Sequence, residues 1–300
     1  MPDIGLWHRC NSHCIMCTNM DTFIRATDRH YDLAAQMRKL RRFAATRDAK
    51  VYARNGDQTN YVLFTGGEPT LHPQFLRLMM EFRKALPQLP FCLLTNGRTL
   101  AYPSFARCLL AVVGAPFSAA VPVHGHDAAT HDAVTRSPGS FSQTLEGLGN
   151  LFRFRRPGQE IEIRVILHKR TARHLERTLE FVLETFPDTR LYRLSLIHFE
   201  MEGQAEKNFE RIGLSLADCV ARVELSLPAL LRFGDFRLYH FPLCVLPQAL
   251  RSRAWRTLPK SDIRFLRKCG SCGAKGSCPG VQRWYPARYG ISEFAPIQTA

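Results

Sequence analysis

Short apolar runs alternate with longer amphipathic stretches from the start of the chain to about residue 230. Each run ends in polar or glycine-rich sequence, which is the pattern of a strand buried on both faces of a sheet. We predict six such strands, at Ile4–His8, Tyr61–Thr65, Phe91–Thr95, Phe117–Val123, Ile161–His168 and Leu191–Phe199.

The intervening stretches carry apolar residues at intervals of three and four, which is the spacing of one helix face. They predict helices at Tyr31–Arg47, Pro73–Leu86, Pro103–Val112, Phe141–Phe154, Thr171–Phe186 and Ser215–Leu231. Repeated strand–helix units require a parallel sheet with right-handed crossovers. The fold class is therefore α/β, as an open doubly wound sheet or an incomplete barrel. In both, the loops at the carboxyl ends of the strands form the site.

The pattern changes after about residue 232 to Pro, Gly, Cys and Arg with little periodicity. We expect a catalytic domain over residues 1–232 and a small metal-stabilised extension over residues 233–300. With 45% hydrophobic and 22% charged residues among 300, the chain can bury a large core, which excludes disorder. Neither a signal peptide nor a bilayer-spanning run is evident, so we expect a cytoplasmic protein without a membrane partner.

The net charge is +15, and the charge is concentrated near the carboxyl terminus. Residues 233–300 hold eleven Lys and Arg against three Asp and Glu. Such a field attracts nucleic acid, an acidic peptide or an anionic cofactor. Alternatively, the basic side chains offset the negative charge of thiolate-ligated clusters. No recognition motif accompanies the charge, so a nucleic-acid partner stays open but is not favoured.

Three of the ten cysteines follow the first strand with the spacing C-x3-C-x2-C, at Cys10, Cys14 and Cys17. In a reducing compartment, cysteines are metal ligands or buried thiols more often than disulfides. Three soft ligands with no obvious fourth suit an iron–sulfur cluster that keeps one iron open. The alternative is a Cys3His zinc site that recruits His8 or His13.

The second strand ends in Gly66-Gly67-Glu68-Pro69. Glycines allow backbone to approach a ligand closely, and an acidic side chain accepts hydrogen bonds from an ammonium group. This motif and the cysteine triplet, over about residues 4 to 210, resemble the radical S-adenosylmethionine (SAM) superfamily. The resemblance implies a partial (β/α)6 barrel that binds SAM and a [4Fe–4S] cluster with an open iron. One electron then cleaves SAM, and a 5′-deoxyadenosyl radical abstracts hydrogen from the substrate.

The resemblance also assigns cofactor contacts. It implies that the backbone of Met16 meets adenine and that Gly66, Gly67 and Glu68, in the motif completed by Pro69, contact the methionine ammonium.

Two further cofactor candidates have structural alternatives. Asn96 and Gly97 resemble the Asn-Gly turn that lies near the cofactor in the superfamily, although a simple strand-to-helix turn fits the sequence equally well. Arg164, on the fifth strand, is expected to hold the methionine carboxylate, and an outward surface arginine is its alternative.

The fourth strand departs from the superfamily pattern. Where many members have Ser-Leu-Asp, this chain has Pro122-Val-His-Gly-His-Asp127. His124 and His126 are therefore candidates for cofactor or substrate binding or for proton transfer, and solvated loop histidines are the alternative.

Four later cysteines form a second group, with Cys269, Cys272 and Cys278 spaced C-x2-C-x5-C and Cys244 before them. Four thiolates bind zinc or a fully ligated iron–sulfur cluster. We favour an auxiliary [4Fe–4S] cluster, because the spacing resembles the twitch or shortened SPASM extensions of peptide-modifying radical enzymes.

A closer likeness is to the maturases of the His-Xaa-Ser peptide system and related modifiers of ribosomal peptides. The residues that carry it are His131-Asp132, Gly139, Phe141, Thr144, Gly147-Leu148, Asn150-Leu151, Glu202-Gly203, Ala205, Asn208 and Pro242-Leu243-Cys244. The tail Tyr285-Pro-Ala-Arg-Tyr-Gly290 departs from what that maturase predicts.

The leading hypothesis is a radical SAM enzyme that modifies side chains of a ribosomally made peptide. We expect no leader-binding domain before Cys10, so a leader-binding protein or a second radical SAM protein would be a partner. An external one-electron donor such as flavodoxin or ferredoxin is also expected. The alternatives are a radical SAM enzyme that acts on tRNA or a small molecule, and an iron–sulfur electron-transfer or binding protein without turnover.

Overall fold

The computed structural model of the chain describes residues 3–19, 25–47 and 61–298. Among these residues, one sheet contains eight strands in the order β1 to β8, so each strand pairs with its neighbours in sequence. The strands are β1 (Asp3–Trp7), β2 (Val62–Gly66), β3 (Phe91–Leu94), β4 (Phe117–Pro122), β5 (Gln159–Leu167), β6 (Arg193–His198), β7 (Phe236–Tyr239) and β8 (Ala254–Trp255). A separate antiparallel pair is formed by β9 (Ile263–Arg264) and β10 (Val281–Gln282).

All but the last of the helices connect strands β1 to β7 of the large sheet, and the last one follows β10. They are α1 (Leu33–Thr46), α2 (Phe75–Ala85), α3 (Pro103–Val113), α4 (Ala128–Thr135), α5 (Ser140–Phe154), α6 (Lys169–Ala172), α7 (Leu175–Thr185), α8 (Gln204–Lys207), α9 (Phe209–Ile212), α10 (Leu216–Leu225), α11 (Leu227–Leu230) and α12 (Tyr285–Tyr289). Among the described residues, no helix is both long and apolar enough to cross a membrane.

The predicted α/β class with a parallel sheet is confirmed. The pairs β1–β2, β2–β3, β3–β4, β6–β7 and β7–β8 are all parallel. Every one of the six predicted strands is present, with ends within about two residues of the prediction. Apolar side chains on both faces explain this, because a strand buried on both sides reads as a continuous apolar run.

The structure also differs from the sequence prediction. Strands β7 to β10 and helices α4, α8, α9 and α12 were not predicted. The helix predicted over 215–231 is divided at Ser226 into α10 and α11, because Pro228 cannot donate the backbone hydrogen bond of a continuous helix. The helix predicted over 171–186 is likewise divided into α6 and α7.

The chain divides into two compact units, which are described separately. The first contains residues 1–14, 19–123 and 127–163, and the second contains residues 15–18, 124–126 and 164–300. The predicted domain boundary at residue 232 stays a prediction, and β7 joins the parallel sheet just after it.

The core of each unit lies against the strands of the sheet. In the first, Phe64 on β2 packs edge-on against Phe82 of α2 and Phe91 of β3, with ring centroids 5.1 and 5.0 Å apart. In the second, Leu196 on β6 and Leu238 on β7 are fully buried. These buried side chains hold the strands in place. The predicted motifs lie in the loops that follow the strands.

Candidate functional site

The loop after β1 carries the first cysteines, and Arg98 holds it in the first unit. Arg98 follows the turn after β3, and its guanidinium Nη1 donates to the carbonyl oxygen of Asn11. The same nitrogen lies 3.2 Å from Oγ of Ser12, and Nε donates to Oε1 of Gln143 on α5 at 2.7 Å. One planar cation therefore joins the cysteine loop, the turn after β3 and a helix.

Asn96 and α4 hold the same loop from other directions. The amide Nδ2 of Asn96 donates to Oδ1 of Asn11 at 2.7 Å and lies 3.9 Å from Sγ of Cys10. The backbone N–H of His13 donates to the carbonyl oxygen of Thr135 at 2.8 Å. Asn96, which follows β3, thus lies beside Cys10, which follows β1, although β2 separates these two strands in the sheet.

His8, the first proposed fourth ligand of a zinc site, is engaged elsewhere. Its Nε2 lies 2.7 Å from Oδ1 of Asp28, and Arg9 pairs with the other oxygen of that carboxylate at 2.9 Å. The hydrogen bond from His8, together with Arg9, lowers the pKa of Asp28. A zinc site that used Nε2 of His8 would have to break this pair.

Gly66 and Gly67 lie where β2 ends against the backbone that leaves β1. A Cβ on Gly66 would lie 2.3 Å from the carbonyl oxygen of Trp7, and one on Gly67 would lie 2.3 Å from that of Arg9. The N–H groups of Gly67 and Glu68 donate to these same two oxygens at 2.7 and 2.8 Å. The glycines are therefore required for close approach to the strand that leads into Cys10.

The Glu68 side chain is buried, with 1% of its surface exposed, and is saturated by hydrogen bonds. Oε1 accepts from the N–H and hydroxyl of Thr70 at 3.1 and 2.5 Å and from the hydroxyl of Thr95 at 2.7 Å. Oε2 accepts from the N–H of Asn96 at 2.7 Å. Burial raises the pKa of Glu68, against the effect of these donors.

This network bears on the predicted contact with the methionine ammonium. The Glu68 carboxylate joins the ends of β2 and β3, and the sequence alone did not predict that role. Pro69 is buried at the start of the short turn Pro69–Leu71. The ammonium contact of residues 66–69 stays a prediction.

In the second unit, Arg164 on β5 is half-buried rather than an isolated surface cation. Its guanidinium carbon lies 5.9 Å from the ring centre of Tyr239 at the end of β7. The next residue, His240, has a left-handed backbone with φ 71°. Burial lowers the pKa of His240 to about 4, and Arg164 contributes. The carboxylate-binding role of Arg164 stays a prediction.

Met16, in the same unit, is buried, with 9% of its surface exposed. His124 is also buried. The ring of His126 lies 5.7 Å from that of His174, and His126 lines an open recess with Glu176 and Glu180 of α7. None of these placements assigns either histidine a chemical role, so both stay candidates.

The four later cysteines line one recess in the second unit, with a volume of about 420 Å³ that includes open solvent. Cys244, Cys269, Cys272 and Cys278 therefore lie around the same recess, and their role as cluster ligands stays a prediction. Much of the remaining lining is apolar, and Lys268 and Lys275 also face it. Across residues 3–19, 25–47 and 61–298, no group of three or more His, Cys, Asp or Glu side chains is arranged around a metal-ion position.

Backbone amides point at the sulfur atoms of this recess. The N–H groups of Leu243 and Gly280 lie 3.5 and 3.4 Å from Sγ of Cys278, and that of Ile297 lies 3.4 Å from Sγ of Cys272. Such donors stabilise thiolates that bind metal. The donor set and its amides fit a cluster with four thiolate ligands.

The first cysteine loop also fits a thiolate-bound cluster. The N–H of Ser12 lies 3.4 Å from Sγ of Cys10, and Asn96 is a second donor. Cys10 is exposed and Cys14 is half-exposed, so their thiols are accessible to iron and sulfide. Sequence reasoning missed Arg98 and Asn11, although Arg98 adjoins the predicted Asn-Gly turn.

A profile of the radical SAM superfamily matches residues 4–182, more than half of the chain. The chain therefore belongs to the radical SAM superfamily. This family implies a [4Fe–4S] cluster and SAM as cofactors. No curated protein matches the chain.

Solved structures share the fold at low sequence identity. Streptococcus suis SuiB superposes with a TM-score of 0.56 and 14% identity, over 79% of this chain and 48% of SuiB. A structure of anSMEcpe with bound AdoMet and the Kp18Cys peptide gives a TM-score of 0.57 and 17% identity, over 78% of this chain and 62% of anSMEcpe. The chain thus spans about half the length of SuiB, and these likenesses confirm the predicted α/β radical SAM fold, with eight strands in the described sheet rather than the six predicted.

Proposed function

We propose that the chain is a radical SAM enzyme that modifies a ribosomally made peptide and holds an auxiliary [4Fe–4S] cluster. The observation that carries this proposal is the four-cysteine recess, in a chain that already belongs to the radical SAM superfamily. Superfamily membership explains the first three cysteines as ligands of the SAM-binding cluster. It does not explain the four cysteines of the recess.

In this proposal, Cys10, Cys14 and Cys17 hold the cluster with the open iron. The N–H of Ser12 and the amide of Asn96 stabilise the thiolate of Cys10. When bound, the cluster and SAM would supply a 5′-deoxyadenosyl radical that abstracts hydrogen from the substrate. The buried network of Glu68 keeps the ends of two strands fixed, which preorganises the surrounding backbone.

Four further sites on the chain bind and orient SAM in this proposal. Met16 offers backbone to adenine, residues 66–69 offer backbone to the methionine ammonium, and Asn96 lies at the next strand end. Arg164 pairs with the methionine carboxylate, for which its fixed charge and planar donors are suited. His124 and His126 are the candidates to bind substrate or to move a proton.

Cys244, Cys269, Cys272 and Cys278 bind the auxiliary cluster in a twitch or shortened SPASM-like extension. The amides of Leu243, Gly280 and Ile297 support it. Lys268 and Lys275 beside the recess offset the negative charge of four thiolates. This role accounts for part of the positive charge of residues 233–300 without nucleic acid.

A peptide substrate is supported by two structural neighbours. SuiB has been solved with its precursor peptide SuiA, with 15% identity to this chain and a TM-score of 0.56. The anSMEcpe structure also contains a bound peptide. A leader-binding or second radical SAM partner, a flavodoxin or ferredoxin electron donor, and a cytoplasmic location complete the proposal.

Iron counting tests the two-cluster part. After anaerobic reconstitution, the wild type should hold about eight irons per chain, and a Cys269→Ala/Cys272→Ala/Cys278→Ala variant about four. Cys108→Ala is the matched control, because this exposed thiol lies on α3 outside both groups. Stoichiometric zinc, or eight irons in the triple variant, would contradict the assignment.

Turnover assays test the chemistry and the substrate class. Reduced, reconstituted protein should release 5′-deoxyadenosine, and the rate should rise with the cognate peptide. A rise with tRNA that falls steeply with salt would support the tRNA alternative. Two intact clusters with no SAM cleavage would support an electron-transfer protein instead.

A further inference from the structure

The segment after β6 contacts the half of the cysteine loop that contains Cys17, and both lie in the second unit. The N–H of Gln204 donates to the carbonyl oxygen of Cys17 at 2.7 Å. The amide Nδ2 of Asn208 donates to the carbonyl oxygen of Ile15 at 3.1 Å. It also donates to the carbonyl oxygen of Gln204 at 2.8 Å. One side-chain amide therefore joins α8 to the backbone beside Cys17.

Local sequence gives this segment a fixed shape. Gly203 has φ 58°, a positive value that favours glycine, and it turns the chain immediately before α8. Ala205 is fully buried and anchors the turn. The first N–H groups of a helix have no partner within it, and that of Gln204 is satisfied by Cys17. Some of the residues that resemble the His-Xaa-Ser maturases, Glu202-Gly203, Ala205 and Asn208, thus lie in this segment. Its contacts reach the backbone of Ile15 and Cys17.

Two residues near the carboxyl terminus, Trp284 and Arg288, contact residues 202–209. The indole N–H of Trp284 donates to Oε1 of Glu202 at 2.9 Å. The guanidinium of Arg288 lies 3.7 Å from Oε1 of Glu206 and 5.0 Å from the ring centre of Phe209. Because Arg288 and Glu206 are exposed, their ion pair contributes little, and the Trp284 hydrogen bond is the more specific contact.

We propose that residues 202–208 are a positioning segment for Cys17, with Asn208 as its central residue and Trp284 as its anchor. The inference rests on the proposed function, in which Cys17 binds the first cluster. Asn208 fixes the backbone two residues before the ligand, and the N–H of Gln204 fixes the ligand residue itself. The auxiliary extension thereby influences the geometry of the first cluster through protein contacts.

Metal sites require ligand positions that are accurate to about 0.2 Å. Without the amide of Asn208, the backbone around Ile15 loses its partner and samples other positions. The thiol of Cys17 then becomes more accessible when no cluster is bound, and its orientation changes when one is. Both effects can be measured without reference to turnover.

The first experiment measures alkylation of the cluster-free, full-length chain by iodoacetamide, with each site followed by mass spectrometry. Asn208→Ala should raise the rate at Cys17 about fivefold, the effect expected from loss of one hydrogen bond. The rate at Cys108, on α3, should not change. Arg211→Ala, an exposed substitution on the adjacent helix α9, is the matched control and should leave both rates at their wild-type values.

Asn208→Asp is the second variant, because it keeps the size and removes the donor. It should reproduce the increase at Cys17 while its circular dichroism stays that of the wild type. Trp284→Phe, which removes only the indole N–H, should raise the rate in the same direction by a smaller factor. A folded Asn208→Asp protein with the wild-type rate at Cys17 overturns the proposal.

The second experiment uses the reconstituted chain and the electron paramagnetic resonance spectrum of its reduced clusters. Asn208→Asp should alter the spectral change that SAM addition causes, whereas Arg211→Ala should not. If Cys17 becomes reactive in the variant but the wild type never cleaves SAM, the proposed function fails and the positioning role stands. If the wild type cleaves SAM and both readouts in the variant match it, only the positioning role fails.

Discussion

The backbone N–H of Asn96 donates to Oε2 of Glu68 at 2.7 Å, and this contact joins the carboxyl ends of β2 and β3. The hydroxyl of Thr95, one residue earlier, donates to the other oxygen of the same carboxylate. The Gly-Gly-Glu-Pro motif and the Asn-Gly turn, which look independent in the sequence, are therefore parts of one structure. Arg98 then extends that structure to the cysteine loop.

Glu68→Gln should lower the free energy of unfolding by about 1–3 kcal/mol, because the new NH2 group would face hydrogen-bond donors in a buried site. Urea unfolding of the cluster-free chain measures this. Glu146→Gln, at an exposed position on α5, is the control and should change stability by less than about 0.5 kcal/mol. Equal stability of the two variants would show that the network is dispensable.

Gly147→Ala should destabilise the chain, whereas Gly149→Ala on the same helix should not. A Cβ on Gly147 would lie 2.2 Å from the carbonyl oxygen of Gly97, so α5 must shift away from the turn after β3, at a cost of about 1–3 kcal/mol or more. A Cβ on Gly149 meets no atom within 4 Å, and this substitution should stabilise the helix by about 0.5–1 kcal/mol. Thermal unfolding compares the stabilities of the two variants with that of the wild type. A Gly147→Ala protein as stable as the wild type would contradict the close contact between Gly147 and Gly97.

Arg98→Lys should lower the iron content of the reconstituted chain from about eight toward about four. A lysine keeps the charge but cannot reach Asn11, Ser12 and Gln143 together, so the first cysteine loop loses its anchor. Arg107→Lys, exposed on α3, serves as the control. Full iron occupancy in the Arg98→Lys protein would show that other contacts suffice.

The stability of the cluster-free chain should fall as the pH drops from about 6.5 toward 4. Burial lowers the pKa values of His131, His198 and His240 to about 4, and that of His168 to about 3. In the unfolded chain these histidines bind protons near pH 6.5, so the unfolded state binds more protons between the two values and gains free energy there.

Glu68 acts in the opposite direction, because its raised pKa makes the folded state bind its proton first as the pH falls. The histidines outnumber it, so the net slope should be a loss of stability in acid. Urea midpoints at about pH 7, 6 and 5 measure the slope, and His131→Gln should reduce it. A flat profile over this range would mean that the buried histidines are compensated elsewhere.

The sequence was informative where chemistry repeats in a pattern. Apolar runs placed β1 to β6, and cysteine spacing predicted the group of four that the recess contains. Strand β7 was not predicted because Arg237 interrupts its short apolar run, and β8 was not predicted because it has only two residues. Helix α4 escaped for a similar reason, although Asp127 and Thr130 form a capping box that the sequence displays.

Contacts between distant residues could not be predicted in the same way. Arg98 and Asn11 are 87 positions apart, and nothing in either local sequence identifies its partner. Asn208 and Ile15 are 193 positions apart, and only the fold brings them together. The motifs thus reveal which chemistry is present, whereas the residues that orient it become visible in three dimensions.

The amide of Ile297 that points at Cys272 has a consequence for biosynthesis. Its carbonyl oxygen also accepts from the N–H of Gly273, so this late residue forms part of the wall around the four sulfurs. During translation, the wall cannot be completed until the ribosome has passed codon 297 and that stretch has emerged. The second set of thiols is therefore fully surrounded only after residue 297 has been made, although Cys278 itself leaves the ribosome earlier.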